Sequence, residues 1–173
     1  MYFSQPALLQ VICDLIRINY ACADGFESVM SEGESLDEES VEILIQKAER
    51  CRKNAQELVA LEGIHLNERM VPAGDIFNRW SEKRKLPAKK DKASLLTDCD
   101  AWEALALEAY KSALNADCLT DPACRRVMMD QKYQLQVCHD KIKKYLDLQV
   151  LQLVSPATPA INIQSKFINT KAG

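Results

Sequence analysis

Residues 91–153 read DKASLLTDCDAWEALALEAYKSALNADCLTDPACRRVMMDQKYQLQVCHDKIKKYLDLQVLQL, and this stretch predicts two long helices joined by a short turn. Apolar residues recur three and four positions apart on both sides of NADCLTDP, residues 115–122, which is the period of one helix face. In that turn Asp121 precedes Pro122, an order typical of an N-cap followed by the first helical position. The predicted buried faces are Leu96, Cys99, Glu103, Ala106, Tyr110 and Ala113 or Leu114 on the first of these helices, and Val127, Gln131, Leu135, Cys138, Ile142 and Tyr145 on the second.

The upstream part of the chain predicts another helical pair. Its first helix begins with Pro6 and runs to about Ser31, and its second begins at the capping-box spacing of Ser35 and Glu38 and ends near Gly63. The predicted buried faces are Leu8, Ile12, Leu15, Asn19, Cys22, Phe26 and Val29 on the first helix, and Val41, Leu44, Ala48, Cys51, Ala55, Leu58 and Glu62 on the second. Three acids of the first helix fall off its predicted face, namely Asp14, Asp24 and Glu27.

The middle of the chain, residues 63–87, is less regular. Ile76, Phe77 and Trp80 predict a short helix that covers an end or a flank of the two pairs. The basic run that follows, residues 82–92, is a solvated linker on one interpretation and a patch for an anionic partner on the other.

Two helical pairs separated by a long connection predict an all-α fold. Short loops make the members of each pair antiparallel, and a long crossover between the second and third helices is the connection that ferritin-like four-helix bundles use. We assign residues 1–154 to this bundle and residues 155–173 to an extended or disordered tail.

The composition excludes several classes of protein. The chain has 173 residues, 47% of them hydrophobic, and its net charge of −3 argues against nucleic acid as a partner. No stretch approaches the roughly 18 apolar residues that predict a membrane span, and the N-terminus lacks the positive charge of a signal peptide. The seven cysteines form no Cys-x-x-Cys pair, so we interpret them as small buried hydrophobes of a cytoplasmic protein. Cys118 and Cys124, which flank the helical turn, are the candidate pair for a disulfide bond.

Polar residues near the predicted buried faces are the candidates for chemistry. A di-metal carboxylate bundle takes one Glu from each of two helices and a Glu-x-x-His pair from each of the other two. That spacing places the carboxylate and the imidazole on one helix face, where both can reach the same metal. The candidate ligands for iron or manganese in this sequence are Glu103, His139, Glu62, His65 and Asp24.

The ligand set is incomplete, and an internal hydrogen-bond network is the alternative interpretation. Glu103 would then pair with His139, or either of them with Asn19 or Tyr110, because a buried carboxylate must be paired or protonated. The sequence offers one nucleophile–base pair, Cys138 beside His139, but neighbours in a helix point about 100° apart. We therefore expect a protein that is not an enzyme.

Four segments of the chain form a combination that is seen elsewhere, namely Gly74-Asp-Ile-Phe-Asn-Arg-Trp80, Cys99–Leu114 with Glu103 and Tyr110, Gln131–Ile142 with His139-Asp140-Lys-Ile142, and Asp24-Gly25-Phe26. Together they resemble an uncharacterised family of bacterial ferritin-like four-helix-bundle proteins. The resemblance covers roughly residues 8–148 and implies the ferritin-like fold, whereas no activity is assigned to that family. The family tends to have a histidine before its Arg–Trp step, and this chain has Asn78 with a spacing to Trp80 that is one residue shorter, so a potential ligand is missing.

Two functions follow as hypotheses. The first is a helical module without enzymatic activity that binds a protein partner or forms a homo-oligomer through its surface. The second is a ferritin-like protein that binds iron or manganese, or responds to stress, through the incomplete site around Glu103 and His139.

Overall fold

A computed structural model describes residues 5–32, 36–61, 71–84 and 91–154, with the side chains of 149, 150 and 152–154 left out. Over these ranges the chain forms helices and no strands, which confirms the predicted all-α class. The helices are α1 (Pro6–Glu32), α2 (Glu38–Val59), α3 (Asp75–Lys83), α4 (Lys92–Leu114) and α5 (Pro122–Val154).

The first pair is formed by α1 and α2, which pack on each other more extensively than any other two helices described. Every residue of the predicted α1 face is buried, including the polar Asn19, and the α2 face is buried from Leu44 to Leu58. The apolar period therefore predicted this interface correctly from Leu44 to Leu58, whereas Val41 is half-buried and Glu62 lies outside the described residues. Asp24 and Glu27 lie outside it as expected, because both are exposed and contact Arg52 of α2.

The second pair is formed by α4 and α5. The two helices run antiparallel, since Asp100 near the start of α4 contacts His139 while Tyr110 near its end contacts Gln131. The α4 face is buried from Leu96 to Ala113, as predicted. The predicted α5 face is divided: Gln131, Leu135 and Ile142 are buried, whereas Val127, Cys138 and Tyr145 are half-buried.

The short helix α3 confirms the prediction for Ile76 and Trp80, which are buried against α1 and α4. The prediction for Asp14 is wrong: the residue is 1% exposed, whereas the sequence placed it off the buried face of α1. The physical reason is that α1 packs against α3 as well as against α2 and α4, so more than one of its sides is covered. The Asp14 carboxylate accepts the backbone N–H groups of Gly74 at 2.9 Å and Phe77 at 3.2 Å, and so caps α3 from a neighbouring helix.

Arg84 ends α3 and packs between two indole rings. Its guanidinium carbon lies 5.1 Å from the ring centroid of Trp80 and 4.7 Å from that of Trp102, a double cation–π contact. Gly25 makes room for this arrangement, because a Cβ there would lie 2.5 Å from Nη2 of Arg84 and 3.0 Å from Cζ3 of Trp102. Within the basic run of residues 82–92, this arginine is therefore half-buried against two indole rings rather than fully solvated.

Helix ends follow local capping chemistry. The N-cap of α2 is Asp37, whose carboxylate accepts the N–H of Ser40 at 2.8 Å, so the predicted start at Ser35 is wrong. Asp91 caps α4 through Ser94, and Asp121 caps α5 by accepting the N–H of Cys124 at 2.8 Å, as predicted. The second helix ends at Val59 with Ala60 as its C-cap, which is earlier than the predicted end near Gly63.

Several predictions fall on residues outside the described ranges. These are the candidate ligands Glu62 and His65, residues 85–90 of the basic run, and the tail of residues 155–173. They stay predictions.

By length and composition alone, α1 qualifies as a candidate membrane-crossing helix, contrary to the expectation drawn from the sequence. More than half of the 18-residue apolar segment of α1 that meets this criterion is buried inside the structure. A core helix and a signal sequence near an N-terminus meet the same criterion.

Candidate functional site

A buried ion pair joins α2 to α4. The ammonium of Lys47 contacts Oε2 of Glu103, and the two side chains are 4% and 3% exposed. Glu103 is thus at the core position that the sequence predicted, but its direct partner is a residue that the sequence reading missed. The signal for Lys47 was its spacing, because it follows Leu44 by three residues and precedes Cys51 by four on the buried face of α2.

Burial sets the electrostatics of this pair. Loss of solvent raises the pKa of the Glu103 carboxyl above its ordinary value, while Lys47 and, more weakly, His139 act in the opposite direction. The Lys47 ammonium also lies 6.0 Å from the ring centroid of Phe26, which favours the cation. The pair is therefore held by charge in a dry setting, where loss of either partner is costly.

The cysteines around the pair are poor nucleophiles. Burial raises the pKa of the Cys99 thiol to about 12. The pKa of Cys51 is also raised, first by its hydrogen bond with Cys22 and then by burial. A thiol that stays protonated at neutral pH neither attacks substrates nor ligates metal readily. All seven cysteines lie in the described ranges and are free thiols, Cys118 and Cys124 included.

His139 contacts a different acid from the one predicted. Its Nδ1 lies 3.0 Å from Oδ1 of Asp100, although neither atom makes a hydrogen bond. Asp100 precedes Glu103 by three residues and so lies on the same side of α4. The direct Glu103–His139 pair predicted from the sequence is therefore replaced by two contacts, Lys47–Glu103 and Asp100–His139.

A separate polar network crosses the core between all four long helices. Nδ2 of Asn19 donates to Oη of Tyr110 at 2.8 Å, and that hydroxyl donates to Oε1 of Gln131 at 2.7 Å. Nε2 of Gln131 then donates to the backbone oxygen of Asn54 at 3.1 Å and to Glu57 at 3.0 Å. Burial raises the pKa of Tyr110 far above its ordinary value, so the hydroxyl stays a donor. The pairing predicted from the sequence is therefore wrong, because Asn19 and Tyr110 pair with each other and with Gln131 rather than with Glu103 or His139.

The three candidate metal ligands that lie in the described ranges, Asp24, Glu103 and His139, do not share one site. Asp24 is exposed and lies 3.4 Å from Arg52, Glu103 is paired with Lys47, and His139 faces Asp100. Across the part of the chain that the structure describes, no three His, Cys, Asp or Glu side chains are placed to hold a metal ion. Glu62 and His65 lie outside the described ranges.

The most prominent surface feature is an apolar stripe on α5. Met129, Tyr133 and Val137 follow one another at four-residue spacing and are 54%, 71% and 36% exposed. Leu148 and Leu151 continue as exposed apolar residues further along the helix. The sequence analysis assigned only the opposite face of α5, whose apolar residues recur over a longer run than the three residues of this stripe.

A groove of about 470 Å³ lies beside this stripe, between α5 and the end of α4. Its lining residues are Lys111, Leu114, Asn115, Arg125, Met129, Lys132, Tyr133 and Gln136. Three of these are cations and, over the described ranges, none is an acid. The groove is therefore lined by both apolar and positively charged side chains.

No protein-family model matches the chain, and no curated protein sequence is similar to it. The resemblance to the ferritin-like family therefore stays a prediction, and function is inferred from the buried pairs and the α5 surface.

Proposed function

We propose that α1, α2, α4 and α5 form a ferritin-like four-helix bundle with a crossover that carries α3. Support comes from the direction of α2 and α4. Asp37 and Lys92 contact each other at the starts of the two helices, and Lys47 and Glu103 pair about ten residues further along each. Because the two helices run in the same direction, the chain must return along the length of the bundle between them.

We propose that the protein is an interaction module without enzymatic activity, and that its binding surface is the α5 stripe of Met129, Tyr133 and Val137. The observation that carries this proposal is the exposure of Tyr133, 71% on a regular helix. Aromatic side chains and methionine are enriched at protein interfaces because they bury much apolar area at small entropic cost. A contiguous exposed apolar surface of this kind on a folded domain favours a binding role.

The contacts and pKa values of the reactive side chains in the interior support the same proposal. Lys47 and Glu103 neutralise each other, and the thiols of Cys51 and Cys99 have raised pKa values. The Tyr110 hydroxyl accepts a hydrogen bond from Asn19 and donates one to Gln131. These groups stabilise the fold and leave the described core without an activated nucleophile.

Photo-crosslinking at position 133 tests this function. With p-benzoylphenylalanine in place of Tyr133, we expect irradiation of cells that make the protein to give a discrete adduct of higher mass. The matched control carries the same amino acid at Lys53, an exposed position on a different helix, α2. An adduct that also disappears when Met129 is changed to Glu supports the proposal. Equal crosslinking at positions 133 and 53 would contradict it.

Metal binding is the second candidate function, and the 3.0 Å approach of Asp100 to His139, one helical turn from Glu103, is the observation in its favour. Lys47 opposes it, because a cation already occupies the Glu103 carboxylate. We expect protein purified without chelators to contain iron, manganese and zinc only in trace amounts. About one or two metals per chain, the stoichiometry of carboxylate bundles, lost in Glu103→Ala or His139→Ala, would establish metal binding instead.

A further inference from the structure

We propose that the partner of the α5 stripe is a second copy of this chain, with the two α5 helices antiparallel and related by a two-fold axis at Tyr133. This inference rests on the proposed function, since it names the occupant of the same surface. It is carried by the order of exposed residues along α5.

The stripe is self-complementary about Tyr133. Met129 and Val137 lie four residues before and after it, and Arg126 and Asp140 lie seven residues before and after it. At about 100° per residue, all four fall within about 40° of the direction in which Tyr133 points. In an antiparallel pair centred on Tyr133, residues equally distant from it on opposite sides lie at the same level.

In this arrangement each residue of the stripe meets a complementary residue of the second copy. Each Met129 meets a Val137 of the second copy, and each Arg126 meets an Asp140, while the two tyrosines lie against each other on the axis. Two-fold interfaces require such a pattern, because contact of one residue with another is repeated in reverse by the symmetry. A foreign partner places no such constraint on the order of residues within one helix.

The charged residues of the stripe are available for this role. Arg126 and Asp140 are exposed, and the Asp140 carboxylate accepts one hydrogen bond, from Nε2 of Gln136 on its own helix at 3.0 Å. Its second oxygen can accept from an arginine of the second copy. Lys132 points about 100° away from Tyr133, so its repulsion with the second copy acts at the rim and is screened by salt.

Charge reversal tests the register. We expect purified wild-type protein to sediment as a dimer. Arg126→Asp and Asp140→Arg should each weaken the dimer about tenfold, since every reversal creates two like-charge contacts per dimer. The double variant R126D/D140R should return to within about threefold of the wild type, because the contacts reverse together. Lys53→Glu is the control for a change of charge elsewhere, and circular dichroism checks that helicity is unchanged.

The other outcomes separate this inference from the proposed function. A dimer that is lost in Tyr133→Glu but indifferent to both charge reversals contradicts the register. A monomeric protein that forms its position-133 adduct with a different protein contradicts the self-association and leaves the interaction function in place. A monomer whose adducts at positions 133 and 53 are equal overturns both.

Discussion

Lys47→Met should lower the free energy of unfolding by about 3–5 kcal/mol, the cost of leaving one member of a buried ion pair without its partner. The substitution keeps most of the apolar stem of the side chain but removes the ammonium that contacts Glu103. Because the Glu103 carboxylate is 3% exposed, water cannot replace the lost charge without opening the core. Urea unfolding followed by circular dichroism measures the loss.

The paired control is the double variant Lys47→Met/Glu103→Leu. Replacing a whole buried ion pair with apolar residues of similar volume is often neutral or stabilising, so we expect the double variant to recover most or all of the stability. Added iron should not change the unfolding of either protein if Glu103 serves only to pair with Lys47. A single variant that is as stable as the wild type, or iron-dependent stability of the wild type that Glu103→Leu abolishes, would contradict this role.

The Lys47–Glu103 pair also makes the free energy of unfolding depend on pH, and the raised pKa of Glu103 sets the direction of this dependence. Burial raises the pKa of Glu103 above its ordinary 4.5, so the folded state holds the proton more tightly than the unfolded state does. Stability from this group therefore falls as the pH rises from about 4.5 through the folded-state pKa. Without Lys47 that pKa rises further, and the deficit of Lys47→Met relative to wild type should be small near pH 5 and larger at pH 8.

Helix faces were predictable from the sequence because they depend on a local period. The α1 stripe from Leu8 to Val29 and the α4 stripe from Leu96 to Ala113 are buried as their spacing requires. The turn signal of Asp121 and Pro122 was equally local, and α5 begins there. In each case the decisive residues lie within a few positions of one another.

Pairings between distant parts of the chain were not predictable in the same way. Lys47 and Glu103 are 56 residues apart, and only the packing of α2 beside α4 shows that the cation is the partner of the acid. The exposed stripe around Tyr133 was missed for another reason. The helical period predicted most of the buried face of α5, but a second, shorter apolar run on the same helix carries no local signal that it lies on the surface.

Asp14 is the clearest of these long-range cases. It precedes Gly74 by 60 residues, and no local pattern on α1 distinguishes its acid from the exposed Asp24. Its role depends on α3 docking against α1, so an argument from the helical period alone places it in solvent. The burial of the Asp14 carboxylate therefore depends on the position of α3 against α1.

Asp14→Ala should release α3 and cost about 3 kcal/mol, since two hydrogen bonds to a carboxylate are lost at about 1.5–3 kcal/mol each with partial recovery by water. The N–H groups of Gly74 and Phe77 lose their acceptor at the positive end of α3, and Arg17 loses the carboxylate that lies 3.6 Å from its Nη1. We expect faster hydrogen exchange of the α3 amides and a change in the fluorescence of the buried Trp80 before global unfolding.

Three variants show whether the carboxylate itself holds α3. Asp14→Asn keeps one acceptor oxygen and should have about half the effect of Asp14→Ala, because only one of the two N–H groups stays paired. Gly74→Ala should release α3 with the acid intact, since its Cβ would lie 2.6 Å from Oδ2 of Asp14 and 2.8 Å from Gln10. Asp24→Ala removes an exposed acid of the same helix and should leave α3 exchange unchanged. If the α3 amides of Asp14→Ala exchange at the wild-type rate, the prediction is contradicted. The apolar packing of Ile76 and Trp80 is then sufficient to hold α3 in place without its carboxylate cap.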